Sequence, residues 1–382
     1  MLNNLLGPER PISWVLQFWP VPVLSFFSAM LATSLCKNMA LKFGIVDKPD
    51  NLVKTHKDSV AYLGGVGMLT GLVVGILAGI YCLRGQDYFP EALSWLLAVM
   101  AGGTIACFVG LIDDIFDIKP WQKILGQGAA AGALILVGIK PTLQYFFSPF
   151  GLDLPQNLEV IFGIPIVIFF VLGATNSLNL LDGLDGLCAG VTGIIALAML
   201  LLAVHLGTWD FSVTGDPVRV IICLGLFGAV AGFLPFNRHP AKIFMGDAGS
   251  MLLGFIIAAL MILFAEKVPR WWMASIVVFG LPILDTAVAV VRRLANKRPL
   301  FLSDRGHIYD QMIDRGIPLK KTVVICYALA GFYALTGVIM SQIRTRYALV
   351  VYVIVFIVSA AVVWKKGYLK MEGLRGAVRN HR

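Results

Sequence analysis

Residues 244–265 read FMGDAGSMLLGFIIAALMILFA, and this stretch decides the fold. From residue 248 to residue 265 it is almost wholly apolar, close to the ~20 residues that an α-helix needs to cross the hydrocarbon core of a bilayer. The motif GDAGS at residues 246–250 opens that apolar run. Carboxylates near a bilayer are costly and are usually kept there for function. The stretch therefore predicts a membrane helix with a functional site at its beginning.

The composition of the whole chain extends this pattern. Of its 382 residues, 58% are hydrophobic and 14% are charged, and the mean hydropathy is +0.82. Average soluble domains carry roughly 25% charged residues, so this chain has too little charge to cover a soluble surface. We predict an all-α, polytopic integral membrane protein with about 11 transmembrane helices, ten being the alternative count. The predicted spans are residues 13–36, 63–83, 93–112, 122–139, 159–175, 186–206, 218–236, 248–265, 271–291, 322–341 and 346–364.

The distribution of basic residues predicts the orientation. Most of the 31 Lys and Arg residues lie in one set of loops and in the tail, at residues 37–60, 113–121, 176–185, 237–247, 292–321 and 365–382. By the positive-inside rule these segments are cytoplasmic, which accounts for the net charge of +9 without nucleic acid as a partner. We predict a multi-pass protein of the plasma (inner) membrane, with one transmembrane domain over residues 1–364 and a basic cytoplasmic tail over residues 365–382.

Five polar clusters lie in, or at the edge of, the loops that the charge pattern places in the cytoplasm. They are residues 54–56 (KTH), 113–114 (DD), 176–186 (NSLNLLDGLDG), 244–250 (FMGDAGS) and 304–307 (DRGH). The orientation rests on charge and the clusters on chemistry, so their agreement favours one active site that faces one compartment. Clusters of this composition predict a site for a metal and a phosphorylated substrate.

The cluster at residues 176–186 is the most specific of the five. Asn176, Asn179, Asp182 and Asp185 recur every third residue, which places their side chains near one face if the segment is helical. The alternative is an Asn/Asp/Gly turn between two helices. A turn that short rarely needs four amide or carboxylate groups in phase, so the spacing favours a functional site.

The acidic residues outside that cluster each have a structural alternative. Asp113 and Asp114 can serve Mg²⁺ or act as a base, or they can form a solvated helix end. A helix N-terminus favours phosphate, so Asp247 at that position calls for a metal between the two negative charges. The alternative there is a plain N-cap by Asp247 or Ser250. Asp285, inside a predicted span, is either functional or half of a structural pair.

Further candidates have weaker signals. Lys54 and His56 form a basic cluster that suits diphosphate but also fits the positive-inside pattern. Asn237 and Phe244 can offer an amide and an aromatic face to a base, or can anchor the chain at the membrane interface. His307 can contact phosphate or orient a carboxylate, whereas a lone loop histidine is more often a surface residue.

Taken together and in order, these motifs resemble those of the polyprenyl-phosphate N-acetylhexosaminyl-1-phosphate transferase family, glycosyltransferase family 4. Its members start O-antigen, enterobacterial common antigen and teichoic acid synthesis, and include the phospho-N-acetylmuramoyl-pentapeptide transferase of peptidoglycan. The resemblance runs from Gly44 to Tyr309. The matching residues are 46–49, 54–56, 64–65, 110–114, 123, 176–186, 237, 240–241, 244–247, 282–285, 292–293 and 304–307.

The resemblance implies a Mg²⁺-dependent enzyme, with Mn²⁺ as a substitute, that moves a sugar-1-phosphate from a UDP-sugar onto undecaprenyl or another polyprenyl phosphate. UMP is released, and a lipid-linked cell-envelope glycan is started. N-acetylglucosamine is the favoured sugar, because the histidine-rich signature of the peptidoglycan enzyme is missing. Of a His-x-His-His pattern, the segment His307-Ile308-Tyr309-Asp310 keeps the first histidine. Peptidoglycan-type activity and a membrane transporter are the alternatives, and a homodimer is left open.

The resemblance also assigns roles to individual residues. The metal ligands are Asn179 and Asp247. The catalytic residues are Asp113, Asp114, Asp182 and Asp185. Asp113 or Asp114 would position the lipid phosphate rather than deprotonate it, since a phosphate monoester is already largely ionised at pH 7. The substrate-binding residues are Lys54, His56, Lys123, Asn176, Asn237, Phe244 and His307, with Lys54, Lys123 and His307 on phosphates and Asn237 and Phe244 on the uridine.

Overall fold

The computed structural model describes residues 7, 9–47, 60–144, 154–266, 269–298 and 306–369 of the chain. A 3₁₀ helix, Ile12–Phe18, comes first, and two short strands, β1 (Val46–Asp47) and β2 (Val60–Ala61), form an antiparallel ribbon. The α-helices are α1 (Pro20–Phe43), α2 (Gly64–Cys82), α3 (Phe89–Phe116), α4 (Pro120–Leu136), α5 (Gln156–Leu181), α6 (Leu187–Thr208), α7 (Gly215–Asn237), α8 (Gly246–Phe264), α9 (Pro269–Val278), α10 (Gly280–Ala295), α11 (Ile308–Asp314), α12 (Leu319–Ser341) and α13 (Thr345–Lys365).

The predicted polytopic, all-α membrane fold is confirmed. Within the described residues, nine helices are long and apolar enough to cross a membrane, if the 3₁₀ helix is counted with α1, and the bent pair α9 and α10 makes a tenth. Helix α4 occupies the remaining predicted span. Its 17 residues extend about 26 Å at 1.5 Å per residue, which is somewhat less than the ~30 Å hydrocarbon core.

The prediction of one continuous helix over residues 271–291 is wrong. Helices α9 and α10 meet at an angle of 69° on either side of Phe279. The cause is Pro282, because a proline has no N–H and its ring clashes with the carbonyl four residues earlier. That carbonyl belongs to Val278, the last residue of α9.

Helix α8 is the central element of the fold. Every residue of α8 except Asp247 is buried, as expected for a helix that is apolar all round. Glycines let its neighbours approach its backbone closely. A Cβ added at Gly65 of α2 would overlap the backbone of Gly249, and one added at Gly110 of α3 would overlap the carbonyl of Asp247. The first turn of α8 is therefore held between α2 and α3.

The ribbon of β1 and β2 packs against the segment that leads into α8. Ala61 forms a bridge with Ile243 and accepts the N–H of Phe244 at 2.9 Å. Gly64 and Gly65 donate their N–H groups to the carbonyls of Phe244 and Met245, both at 3.0 Å. The connection between the two strands, with Lys54 and His56, lies outside the described residues.

A buried ion network closes the opposite end of α8. Arg219 of α7 binds Asp216 and Glu266 through its two terminal nitrogens, both at 2.7 Å. Its Nε donates to the carbonyl of Leu263 at 3.1 Å. Arg219 is 2% exposed, and a buried charge requires such partners. The network ties the end of α8 to the beginning of α7.

Replacement of Gly110 by alanine tests the close approach of α3 to α8. The added methyl group meets the Asp247 backbone, and overpacking of this kind destabilises by about 1–3 kcal/mol. We expect Gly110→Ala to lower the melting temperature of the purified protein in detergent. The control is Gly128→Ala on α4, where a Cβ would have nothing within 4 Å. Equal melting temperatures for the two variants would contradict this packing.

Candidate active site

Four helix ends meet at one face of the bundle. Asp113 and Asp114 lie in the last turn of α3, Lys123 in the first turn of α4, Asn179 in the last turn of α5 and Asp247 in the first turn of α8. All five were predicted as site residues, and the structure brings them into direct contact. Helix termini are suited to this because their polar backbone groups lie at the edge of the apolar region.

Asp247 is the centre of the cluster. Its Oδ2 accepts a hydrogen bond from Lys123 Nζ at 2.7 Å, and its Oδ1 accepts one from Asn179 Nδ2 at 2.7 Å. Lys123 also forms an ion pair with Asp113, and Asn179 donates to Ser250 Oγ at 3.1 Å. The N-cap residue of α8 is Met245, and both side-chain oxygens of Asp247 bind groups of other helices, so the alternative of a plain N-cap by Asp247 is wrong.

Asp114 supplies the cap that Asp247 does not. Its Oδ1 accepts the N–H of Asp247 at 2.8 Å and its Oδ2 accepts the N–H of Ala248 at 3.1 Å. Gly246 precedes them in the left-handed region with φ of 68°, and a Cβ there would overlap the Asp114 carboxylate. The carboxylate also suits the positive end of the helix dipole. The backbone groups predicted to favour phosphate thus bind Asp114.

Asp113 has different partners from its neighbour. Its Oδ1 accepts the N–H of Ile118 at 3.0 Å, which ties it to the connection between α3 and α4, and its Oδ2 pairs with Lys123. The two adjacent carboxylates therefore have separate structural roles. Asp114 holds α8, whereas Asp113 orients Lys123.

The predicted helical face of four polar residues ends sooner than expected. Helix α5 stops at Leu181, so Asn176 and Asn179 lie on the helix while Asp182 is its C-cap and Asp185 lies in the following turn. The expectation of one continuous helical face was therefore wrong. The turn alternative holds for the second half of the cluster, which carries Asp182 and Asp185. The turn closes at Gly186, whose φ of 75° a glycine adopts without strain.

Two members of that cluster bind groups away from Asp247. Asn176 is exposed and donates to Gln127 Oε1 at 3.1 Å and to the Leu172 carbonyl at 2.7 Å. Asp185 Oδ2 lies 2.7 Å from His239 Nδ1 and accepts the Ala241 N–H at 3.1 Å. Their predicted roles in substrate binding and catalysis stay predictions.

Among the carboxylates of this site, Asp182 has the least compensation. No hydrogen bond reaches it from the described residues. Burial raises its pKa well above the usual range of an aspartate, and the nearby carboxylates of Asp247, Asp114 and Asp185 raise it further. A second positive charge at this place would relieve the repulsion.

Asn237 and Phe244 line the segment between α7 and α8. Asn237 is 2% exposed. Its Oδ1 accepts the Gly186 N–H at 3.1 Å and its Nδ2 donates to the Ile243 carbonyl at 3.0 Å. This geometry assigns Asn237 to joining the turn after α5 to the loop before α8. Phe244 is half-buried and meets Tyr62 edge to face, with ring centroids 6.2 Å apart.

His307 is buried and comes close to the same turn through its neighbour. Its Nδ1 lies 2.8 Å from Asp285 Oδ2, so the alternative of a surface histidine is wrong. Tyr309 stacks on the imidazole and donates its hydroxyl to the Leu180 carbonyl at 2.9 Å. Lys54 and His56 lie outside the described residues, so their predicted roles stay predictions.

Comparison with known proteins identifies the family. The model of glycosyl transferase family 4 matches residues 96–265. Over 341 residues the chain is 30% identical to a probable undecaprenyl-phosphate N-acetylglucosaminyl 1-phosphate transferase of Bacillus subtilis, with 87% of each chain covered. The chain belongs to glycosyl transferase family 4. The predicted resemblance is thereby confirmed.

Two further relatives show the breadth of the family 4 match. A decaprenyl-phosphate N-acetylglucosaminephosphotransferase of Mycolicibacterium smegmatis is 31% identical, over 79% of this chain and 77% of its own. A phospho-N-acetylmuramoyl-pentapeptide-transferase of Shouchella clausii is 29% identical, over 85% of this chain and 97% of its own. The family 4 model spans all five residues of the central cluster, whereas His307 lies beyond its end.

The donor set of this family 4 site suits a hard cation such as Mg²⁺. Carboxylate and amide oxygens are its preferred ligands, and Asp247, Asp182 and Asn179 offer them around a surplus of negative charge. Within the described residues, no three His, Cys, Asp or Glu side chains are already spaced as a ligand cage. In proteins, Mg²⁺ is usually bound through one or two carboxylates, waters and substrate phosphates.

Two side chains of the site escaped the sequence analysis. Gln127 of α4 binds Asn176, and His239 binds Asp185. His239 follows Asn237 by two residues in a segment already singled out, so its imidazole was a usable signal. Gln127 lies in an apolar span, where nothing in the sequence signalled a functional residue.

Replacement of Asp114 by asparagine tests its capping role. An asparagine keeps one acceptor oxygen but leaves one of the two N–H groups of α8 unpaired, which costs about 1–3 kcal/mol. We expect Asp114→Asn to lower the melting temperature in detergent without any substrate present. Asp117→Asn is the matched control, because Asp117 is exposed and its φ of 48° is tolerated by asparagine. A normal melting temperature for Asp114→Asn would refute the cap.

Proposed function

We propose that this protein transfers N-acetylglucosamine-1-phosphate from a UDP-sugar to a polyprenyl phosphate and releases UMP. Two supports are independent of each other. One is the family, in which relatives of 30% and 31% identity are named for transfer of N-acetylglucosamine phosphate to polyprenyl phosphates. The other, which carries the proposal, is the contact of Asp247 with Lys123 and Asn179 amid further carboxylates at one membrane face.

Lys123 is the residue of the chain that we assign to the diphosphate. Its ammonium lies between Asp113 and Asp247, and its side chain is 26% exposed, so substrate can reach it. A lysine binds phosphate as a point charge. In this proposal, Asp113 and Asp247 hold the Lys123 ammonium where the bond between the two phosphates of the donor would break.

The reaction needs no strong general base. The attacking group is an oxygen of the polyprenyl phosphate, which is already largely ionised at pH 7. Catalysis of phosphoryl transfer is then mainly a matter of positioning and of charge stabilisation. The carboxylate of Asp114 caps α8, and the carboxylate of Asp113 orients Lys123. Both therefore position groups of the protein, and the positioning of the lipid phosphate that the resemblance implies stays a prediction.

We assign Mg²⁺ to Asp247, with Asn179 and Asp182 beside it. Bound there, the ion would neutralise the diphosphate and the leaving UMP. Asn179 would turn its amide oxygen toward the ion, in place of the nitrogen that now donates to Asp247. Asp182 would supply the negative charge that burial and its neighbours now disfavour.

The lipid substrate can reach this site from the bilayer. Ile115, Phe116 and Trp121 follow or border the central carboxylates and are 48%, 72% and 57% exposed. Aromatic and apolar side chains at this depth belong to the membrane interface. A polyprenyl phosphate could therefore keep its chain in the lipid while its phosphate enters the cluster between α3 and α4.

The activity of the peptidoglycan-type relative is the second candidate. It is favoured by one observation, the match over 97% of the length of the Shouchella clausii protein. The loss of all but the first histidine of the pattern at residues 307–310 opposes it. The two candidates differ in the donor, so a donor panel decides between them.

Release of UMP by the purified protein tests the proposal. Protein in detergent is given undecaprenyl phosphate, Mg²⁺ and, in turn, UDP-N-acetylglucosamine, UDP-N-acetylgalactosamine, UDP-glucose and UDP-N-acetylmuramoyl-pentapeptide. We expect UMP with the first donor and its loss on chelation of the metal. Release with the pentapeptide donor alone would establish the second candidate, and release with none of them from folded protein would refute both.

Asp247→Asn tests the assignment of the metal. The substitution removes the charge that binds the ion, and loss of such transition-state stabilisation lowers turnover by about 10²-fold or more. We expect that loss together with a normal elution profile on gel filtration. Asp117→Asn is again the control and should be as active as the unchanged protein. Near-normal, Mg²⁺-dependent turnover by Asp247→Asn would contradict the assignment of Asp247 as the residue that binds the metal.

We also propose that the site faces the cytoplasm, on the basis of the charge pattern. Single cysteines can be placed in a variant without the six native ones. An impermeant thiol reagent added to intact cells should label Asp87→Cys, in the exposed turn before α3, and should leave Lys242→Cys, in the exposed loop before α8, unlabelled. The reverse labelling pattern would contradict the proposed orientation of the site.

A further inference from the structure

Helices α10 and α13 leave an apolar groove between them. Helix α13 packs against α9 and α12, whereas α10 turns away from α9 by 69°. The space between α10 and α13 is a cavity of about 360 Å³, within the ~300–1,000 Å³ of typical ligand pockets. The groove therefore follows from the break of the span at Pro282, because an unbroken helix would not diverge in this way.

Two matching stripes of apolar side chains form the walls of the groove. Each stripe repeats every four residues, which places its members on one face of its helix. The stripes are Ile283, Ala287 and Val291 on α10 and Phe356, Ala360 and Trp364 on α13. Two hydroxyls in the wall, those of Tyr333 and Ser359, bind each other at 2.6 Å. The wall therefore offers apolar contact to an occupant.

The groove is open along its length. Ile283 and Val291 are 39% and 46% exposed, and Phe356 and Trp364 are 71% and 78% exposed. In a membrane-spanning part of a protein, such apolar surface faces hydrocarbon chains. The chains of all lipids suit it about equally, because they are as apolar as the side chains. Any preference among lipids must therefore come from the ends of the groove.

The end of the groove beside Trp364 is cationic. Lys365 and Lys366 follow Trp364 directly, and both are exposed. The acidic residues of the surrounding segments, 269–298 and 306–369, are buried or have buried carboxylate oxygens. They are Asp285, Asp310 and Asp314. No exposed carboxylate of these segments thus compensates the two lysines, and charge complementarity favours a negatively charged headgroup.

We propose that this groove binds an anionic phospholipid such as phosphatidylglycerol, with an acyl chain between α10 and α13 and its phosphate at Lys365 and Lys366. Basic side chains at the end of a membrane helix attract anionic headgroups, and the Trp364 ring belongs at the same level of the bilayer. The groove is lined from α9, α10, α12, α13 and the turn after α13. The site is therefore separate from the path of the lipid substrate between α3 and α4, and its existence does not depend on the reaction.

Fluorescence quenching by brominated lipids tests the proposal. The protein is reconstituted in phosphatidylcholine bilayers with a varied fraction of dibrominated phosphatidylglycerol or of dibrominated phosphatidylcholine. The signal of Trp364, one of eight tryptophans, is the difference between the unchanged protein and Trp364→Phe. We expect half-quenching by the anionic lipid at a fraction about fivefold lower, which is the effect of one lysine near a lipid surface. Equal quenching by the two lipids would overturn the proposal.

Paired substitutions on α13 separate the cationic end of the groove from the net charge of the protein. Lys365→Gln with Lys366→Gln should abolish the preference for the anionic lipid, and the corresponding arginine pair should keep it. The matched control is Arg344→Gln with Arg346→Gln, because these residues are exposed at the opposite end of α13 and the net charge changes equally. If both glutamine pairs reduce the preference alike, the two lysines form no site and the proposal fails.

Filling the groove tests the place of the acyl chain. Ala360 is exposed in the wall, so a leucine there occupies the groove without entering the packed interior. We expect Ala360→Leu to weaken quenching of Trp364 by the brominated anionic lipid. The control is Ala101→Leu on α3, where the alanine is exposed outside the groove. Unaltered quenching in Ala360→Leu, with a normal gel-filtration profile, would refute the proposed place of the chain.

Competition distinguishes the other possible occupants of the groove. Undecaprenyl phosphate should displace the brominated lipid no better than the same fraction of unlabelled phosphatidylglycerol does. Displacement at a much lower fraction would give the groove to the substrate lipid. If neither brominated lipid quenches Trp364, the groove is covered by protein, such as a second copy of the chain. Either result overturns the proposal, and neither bears on whether the protein releases UMP.

Discussion

The carboxylate of Asp114 accepts the neighbouring N–H groups of Asp247 and Ala248 in the first turn of α8, and the remainder of the site depends on this interaction. A helix that begins in an apolar surrounding needs acceptors for its first N–H groups. The residue at the start of α8 could have supplied one itself, as many N-caps do. Because a different helix supplies both, the side chain of Asp247 is turned toward Lys123 and Asn179 instead. The close approach of Gly110 to the Asp247 backbone makes the contact geometrically feasible.

The same arrangement explains how so many carboxylates can stand together at a membrane face. Asp113 and Asp247 share Lys123, Asp114 is satisfied by backbone N–H groups, and Asp182 is left with raised pKa and no hydrogen bond from the described residues. Anionic substrates would add to the repulsion in such a place. The proposed Mg²⁺ resolves it, because the ion matches the surplus charge of the protein and of the diphosphate at once. In the proposed function, the same cation would therefore serve both stability and catalysis.

Much of the fold could be predicted from the sequence, since the length of an apolar run and the sign of its flanking charges are local properties. Every predicted span has a helix in the structure. The prediction of one continuous helix at residues 271–291 was wrong, although the sequence shows Pro282. A proline in a membrane helix can be tolerated, can kink the helix or can break it, depending on its neighbours. The turn after Leu181 was one of two alternatives that the sequence left open. A three-residue repeat is compatible with a helix, and the glycines that end it do so only when tertiary contacts favour the turn.

By itself the sequence determined that the chain crosses the membrane many times, which ends of the helices carry polar groups, and that Asp113, Asp114, Lys123, Asn179 and Asp247 belong to one site. Apolar length and charge asymmetry are sufficient for the first two conclusions, whereas the third also needed the resemblance of the motifs to the family, which alone indicated Lys123. Only the tertiary structure decided the partners: Asp114 caps α8 from a position 133 residues earlier, and Lys123 reaches Asp247 across 124 residues. It also decided that His307 is buried against Asp285. Hydrogen bonds depend on distance and direction within about 3 Å, and packing of helices far apart in the chain sets both.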